Sequence, residues 1–295
     1  MATFIDIAVP AITFILLAAI GMDLTPDDFV RVRRRWMVVL AGLIGPLLLL
    51  PPIAIGLLWA FRPPLEVATG LLLVTACPIG GISNTYSYLA RASTALSVTL
   101  TGTSCLLAAV TIPVVGRALE LAVALPLNLV APLQSLLVQL ILVLAVPVAL
   151  GMWVRKHWTG LADRYKRSIE LSSFVGVGIL LVLVIVDDPP AFASGLSTTI
   201  PLAGAFVACS TAVGWMTATL VTGDHRERFT LAAEFGTRNL GVAIAIAVIL
   251  LGRVEFARFA LTYFLTEVPL MLMAIALFRK MDTLSNHTRS AKFRG

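Results

Sequence analysis

The chain has 295 residues, of which 59% are hydrophobic and 13% charged, and its mean hydropathy is +0.96. A soluble domain is about one quarter charged and a disordered chain lacks the apolar residues for any core, so both are excluded. The net charge of +6 does not mark a nucleic-acid surface, because the cations stand in short runs between long apolar stretches, as in an integral membrane protein.

A helix that crosses the hydrocarbon core needs about 20 mostly apolar residues, since every backbone polar group must be satisfied within it. Nine segments meet this requirement, at about 4–22, 35–60, 65–90, 93–115, 130–153, 169–187, 198–222, 229–251 and 256–278. The first carries Asp6 and no Lys or Arg ahead of its apolar run, so it reads as a mature helix rather than a signal peptide. Trp36, Trp59 and Trp153 fall near predicted span ends, where amphipathic rings favour the headgroup region, whereas Trp215 is mid-span and packs. Cys77, Cys105 and Cys209 lie in apolar segments without paired spacing, which argues against disulfides or a thiolate metal site. His157, His225 and His287 fall in loops or the tail, leaving no histidine for an intramembrane metal or triad site.

The loops after the odd-numbered spans hold 17 cations: Arg31, Arg33, Arg34 and Arg35; Arg91; Arg155, Lys156, Arg164, Lys166 and Arg167; Arg226 and Arg228; and Arg279, Lys280, Arg289, Lys292 and Arg294. The alternate loops hold four (Arg62, Arg117, Arg253 and Arg258), together with Asp187 and Asp188. The positive-inside rule then places the N-terminus outside and the C-terminus in the cytoplasm of a multi-pass protein of the cell (inner) membrane.

Two spans are interrupted. The third contains Ala76-Cys77-Pro78-Ile79-Gly80-Gly81-Ile82-Ser83-Asn84 and the eighth Glu234-Phe235-Gly236-Thr237-Arg238-Asn239-Leu240-Gly241. Proline removes a backbone donor, and glycine supplies the unusual dihedrals of an unwound stretch. Such backbone survives at membrane depth only where it is buried in protein or lines a wet cavity. The breaks are five spans apart, so the two segments run in opposite directions, the topology of an inverted repeat whose broken helices meet near the midplane. Spans two, three and four match seven, eight and nine.

Glu234 is an ionisable group near the centre of an apolar span, which costs at least about 2.5 kcal/mol for a charge that finds no partner. Ser83 and Asn84 follow the first break, and Ser97 and Thr101 stand at i and i+4 on one face of the fourth span. With Glu234 they form an all-oxygen set with one negative charge, suited to a hard cation such as sodium. Taken singly, Ser97 and Thr101 could equally bond their own backbone. Arg238 stays charged under any cellular condition. It either pairs with Glu234 one turn earlier, pairs with Glu267 of the ninth span, attracts an anionic substrate, or replaces a second cation.

Gly21-Met22-Asp23-Leu24-Thr25-Pro26-Asp27-Asp28-Phe29, the Cys77–Asn84 break with Tyr88-Leu89-Ala90-Arg91 and Ala95-Leu96-Ser97-Val98 after it, and Glu234–Asn239 with Gly241 resemble the bile acid:sodium symporter family, in a bacterial-type member. The resemblance runs through most of the chain. It implies an all-α polytopic fold of inverted repeats lacking the first helix. The core domain would comprise helices at about 35–115 and 198–278, and the panel domain helices at about 4–22 and 130–187. The family's first sodium site carries over as Ser83, Asn84, Ser97, Thr101 and Glu234. Its second does not, because Arg238 replaces a side-chain amide and Pro46 stands where a glutamine is expected, so one bound Na+ is expected rather than two. Asn239 and Thr237 fall near the substrate position, and Pro78, Gly80, Gly81 and Gly236 form the helix breaks.

The resemblance implies a secondary transporter that carries a small organic anion, bile acid-like or a smaller carboxylate, together with sodium, embedded in the lipid bilayer. A proton-coupled carrier in which Glu234 takes the proton is the alternative. A receptor that binds such anions without transport is disfavoured by the short loops. No nucleophile–base pair or phosphate-cradling loop suggests an enzyme, and neither nucleic acid nor a particular oligomeric state is indicated.

Overall fold

The computed structural model describes residues 2–25, 34–123, 140–160 and 189–292, with single positions at 30, 164 and 168 and seven between 175 and 186. The sixth span expected at 169–187, the part of the fifth before Leu140, and Pro26–Phe29 lie largely or wholly outside the described residues. So do Arg31, Arg33, Lys166, Arg167, Asp187, Asp188 and the side chains of Asp6 and of the residues after Asp282.

All regular structure described is helical: α1 (Ala2–Asp23), α2 (Trp36–Phe61), α3 (Leu65–Ala76), α4 (Ile82–Leu89), α5 (Thr94–Val123), α6 (Val146–His157), α7 (Pro189–Val221), α8 (His225–Gly236), α9 (Leu240–Ala245) and α10 (Ala257–Lys292). A π-helical turn, Ile141–Ala145, leads into α6, and another, Ile246–Leu250, prolongs α9. Among the described residues Trp36–Phe61, Thr94–Val123, Gly195–Val221 and Val254–Asp282 are long and apolar enough to cross a membrane. The expected third and eighth spans are each two shorter helices joined by non-helical backbone.

Local chemistry sets these limits. α2 ends at Phe61 because Arg62 takes a left-handed conformation (φ 47°, ψ 51°) and two prolines follow. α8 starts at His225 because the Asp224 carboxylate accepts from the Arg226 amide at 2.8 Å. That start is also tied sideways, through Arg35 to Glu227 at 3.4 Å and His225 to Asp282 at 2.7 Å, so α2, α8 and α10 are joined at one end. Arg117, expected in a loop, lies inside α5, which runs on to Val123 and pairs it with Glu120 at 3.1 Å.

The polarity of the molecule is inverted relative to a soluble domain. Leu48, Trp59, Val114, Met216 and Leu220 are exposed on the outer helix faces, whereas Ser83, Ser97, Thr101, Glu234, Arg238 and Glu267 are buried. An apolar exterior around a polar centre is what a bilayer solvent selects. α7 packs along α2, α8 and α10, while α1 packs along α6. The α1–α6 contact is backbone against backbone, since a Cβ on Gly151 would stand 2.0 Å from the Ala18 carbonyl oxygen.

Candidate functional site

The two interrupted segments meet. Cys77 is extended (φ −67°, ψ 154°), as is Thr237 (φ −113°, ψ 120°), and Ile79 and Arg238 form an isolated antiparallel bridge. Across it the Asn239 amide donates to the Pro78 carbonyl at 2.8 Å and the Gly80 amide to the Thr237 carbonyl at 3.4 Å. Each break therefore supplies the backbone partners that the other lost by leaving the helix, which satisfies the requirement that lipid imposes.

Gly80 and Gly236 act by size rather than by dihedral, contrary to the sequence-based expectation. Gly81 is right-handed (φ −60°, ψ −21°), and Gly252 is the one positive-φ glycine among the described residues. A Cβ on Gly80 would stand 2.5 Å from the Arg238 carbonyl oxygen, and one on Gly236 would meet the Thr211 hydroxyl and Met271. Pro78 sits at the crossing, where its missing amide proton is not called upon.

The crossing brings together residues far apart in sequence. Glu234, two residues from the end of α8, is fully buried. Ser83 of α4 donates to its Oε2 at 3.1 Å, Thr101 of α5 approaches the same oxygen at 3.4 Å, and Ser97 of α5 donates to Oε1. Asn84 Oδ1 accepts from Ser97 at 2.8 Å and from Thr101 at 3.3 Å, and Ser83 Oγ lies 3.2 Å from Thr101 Oγ1. Three hydroxyl protons cannot satisfy all of these pairs at once. The cluster thus holds more acceptor oxygens than donor hydrogens, the composition that a hard monovalent cation fits.

Arg238 does not pair with Glu234, although four residues separate them. The helix ends at Gly236, so the one-turn spacing no longer places the two side chains on one face. No ion pair joins it to Glu267 either. Instead its Nη2 donates to the Cys77 carbonyl, so a cation rests where the negative ends of α3 and α8 converge. Nε and Nη1 have no hydrogen-bond partner. Arg238 lines a cleft with Pro46, Pro78, Ile79 and Ser104. Asn239 caps α9, its Oδ1 accepting from the Val242 amide at 3.1 Å, and its Nδ2 lies 3.8 Å from Cys105 Sγ. The Thr237 hydroxyl is buried and unpartnered.

Sequence reasoning missed three supports. Ser104 accepts from the Ile79 amide at 3.2 Å and donates to the Thr101 carbonyl at 2.9 Å. Its place one turn after Thr101 on the Ser97–Thr101 face was the available signal. Tyr263 donates to the Gly236 carbonyl. Cys105 Sγ approaches the Ile79 carbonyl at 3.8 Å. A tyrosine or cysteine within an apolar run carries no such signal.

A model of the family described as "Sodium Bile acid symporter family" matches residues 9–191, which includes the first break and α5 and ends before the second break. The chain is similar to the "Uncharacterized sodium-dependent transporter YocS" of Bacillus subtilis (strain 168), 31% identical over 79% of this chain and 71% of that one. It is 27% identical to the mouse "Sodium-dependent organic anion transporter" over 85% of this chain and 67% of the relative. To the human "Sodium/bile acid cotransporter 4" it is 28% identical over 82% of its length, spanning 56% of the human protein.

Proposed function

Because the chain belongs to the sodium/bile acid symporter family, a family of transporters with a multi-pass membrane fold, we propose that it carries an organic anion across the membrane together with sodium. One observation carries this reading: Glu234, Ser83, Asn84, Ser97 and Thr101 converge from three elements on both sides of a crossing of broken helices. The names of the relatives, which specify sodium and organic anions or bile acids, agree with it.

The architecture proposed with it rests on the apolar spans, the charge pattern and the family resemblance. Nine spans form an inverted repeat, with α2–α5 and α7–α10 as a core moving against a panel that contains α1 and α6, and the cation-rich loops face the cytoplasm. The sodium ion is co-substrate: held by Glu234 and the hydroxyl and amide oxygens of α4 and α5, it favours the crossing geometry that receives the anion. Arg238 occupies the position of a second sodium, so one ion accompanies each substrate. Arg238, two of whose guanidinium nitrogens are unpartnered, lines the cleft beside Pro46, where a carboxylate would enter.

Uptake of radiolabelled organic anions into proteoliposomes tests this. An inward sodium gradient should drive it, and Glu234→Ala and Thr101→Ala should abolish it. Uptake that persists in both variants, or that a pH gradient alone drives equally well, removes sodium from the mechanism.

A further inference from the structure

A second carboxylate at the crossing, Glu267, has no part in the scheme above. It stands one turn beyond Tyr263 on α10 and is fully buried. Neither of its oxygens has a hydrogen-bond partner. The hydroxyls of Tyr86 and Thr237 lie beside it, yet they too are buried and unpartnered.

Few charged or titratable groups face Glu267. They are Tyr86 from α4, Tyr263 from its own helix and Arg238 from the second break. Of the other elements packed on α10, α7 and α9 carry no Asp, Glu, Lys, Arg or His, and Cys209 of α7 is exposed. α3 has only the exposed Glu66 in its first turn. α8 has His225, Arg226, Glu227 and Arg228 at its far end and Glu234 near the break. Arg258 lies at the start of α10, about 13 Å along its axis from Glu267, and Arg253 and Glu255 precede that helix.

A fully buried ionised carboxylate is heavily penalised, whereas a carboxylic acid is neutral and can donate to the Tyr86 or Thr237 oxygen. The crossing therefore takes two carboxylates and one guanidinium out of water. Arg238 offsets one negative charge, and the other requires one monovalent cation. Two places exist for it, sodium at Glu234 or a proton on Glu267. Filling both leaves an excess positive charge and filling neither an excess negative one, and each is unfavourable at low dielectric.

We propose that Glu267 is a proton site in exchange linkage with the Glu234 site. When sodium enters at Glu234, the O–H bond of Glu267 breaks, its electron pair stays on the carboxylate and the proton passes to water; loss of sodium reverses the step. This rests on the sodium reading of the Glu234 cluster.

The test uses the purified full chain in detergent, weakly buffered, with a pH-indicator dye. Sodium chloride is added against a choline chloride control, and sodium binding is read in parallel from thermal stabilisation. Wild type should release about one proton per sodium bound, and its apparent sodium affinity should rise with pH by up to about tenfold per unit. Glu267→Gln, which fixes the neutral form, should need more sodium for the same stabilisation and should release no proton, and Glu267→Asp should restore the release. Sodium stabilisation of wild type without proton release overturns the proposal, and this arm does not depend on any variant folding. Undiminished release from Glu267→Gln overturns it as well, since the proton then comes from elsewhere. Should sodium fail to stabilise wild type, the sodium reading falls instead. A deuterium-sensitive carboxylic-acid C=O band in the infrared spectrum, lost in Glu267→Gln, then supports the protonated site, and its absence from wild type overturns it.

Discussion

Arg238 reaches from the second break to the carbonyl of Cys77 in the first, so the crossing is held by a side chain as well as by its two backbone hydrogen bonds. In the proposed scheme a guanidinium buried this way plays two parts, tying the broken helices together and excluding a further cation. Arg238→Gln separates them. Loss of a charge-assisted hydrogen bond should cost about 2 kcal/mol, read as a lower Tm. In sodium titrations of uptake, the same variant should show a steeper dependence because part of a second site returns. An unaltered slope would leave only the tethering part.

Thr101→Val keeps the volume of the side chain and removes one oxygen from the Glu234 cluster. Thermal-shift titration should show sodium binding weakened about tenfold or more, against a loss of only about 1 kcal/mol of stability in choline chloride. Equal sodium affinity would place Thr101 outside the ion's coordination.

Gly80 and Gly81 make a paired test of the crossing. In Gly80→Ala the new methyl meets the Arg238 carbonyl oxygen, a backbone atom that cannot swing aside. The breaks must part, at a cost of about 1–3 kcal/mol. In Gly81→Ala the nearest atoms belong to the Ile20 side chain at 3.6 Å, ordinary contact, so that variant should melt close to wild type. Thermal unfolding followed by size-exclusion fluorescence distinguishes them, and equal melting temperatures would contradict the close approach.

Tyr263→Phe removes the donor to the Gly236 carbonyl and leaves that carbonyl buried at the end of α8. About 1–3 kcal/mol of stability should be lost. Transport should slow more than sodium binding weakens, because Tyr263 touches the break and not the cation cluster. A variant that binds sodium as poorly as Thr101→Val would assign Tyr263 to the site itself.

Membrane character was legible because it is compositional: long apolar runs punctuated by cations can be counted. The broken spans were legible because Pro78 and the flanking glycines are local signals of non-helical backbone. The four-residue spacing of Ser97 and Thr101 gave their common face in the same way, since helical periodicity is local. The Glu234–Arg238 pair, one of the alternatives open for Arg238, failed for an equally local reason, as one-turn spacing holds only where the helix continues.

The odd span separation and the family resemblance already grouped Ser97 with Glu234, as the structure has it, but the linear order could not supply the contact of Arg238 with Cys77 across 161 residues. Neither break reveals its partner on its own, because each merely lacks hydrogen bonds, and only packing decides which chain provides them. The sequence by itself determined an apolar-coated helical protein with two weak points and a scatter of buried oxygens. The tertiary structure decided which backbone groups of the two weak points bond each other, that three hydroxyls converge on one carboxylate, and that Arg238 turns to a carbonyl while Glu267 is left unpaired. The physical reason is that burial in a medium without water forces each polar group to find its partner within the protein, wherever in the chain that partner lies.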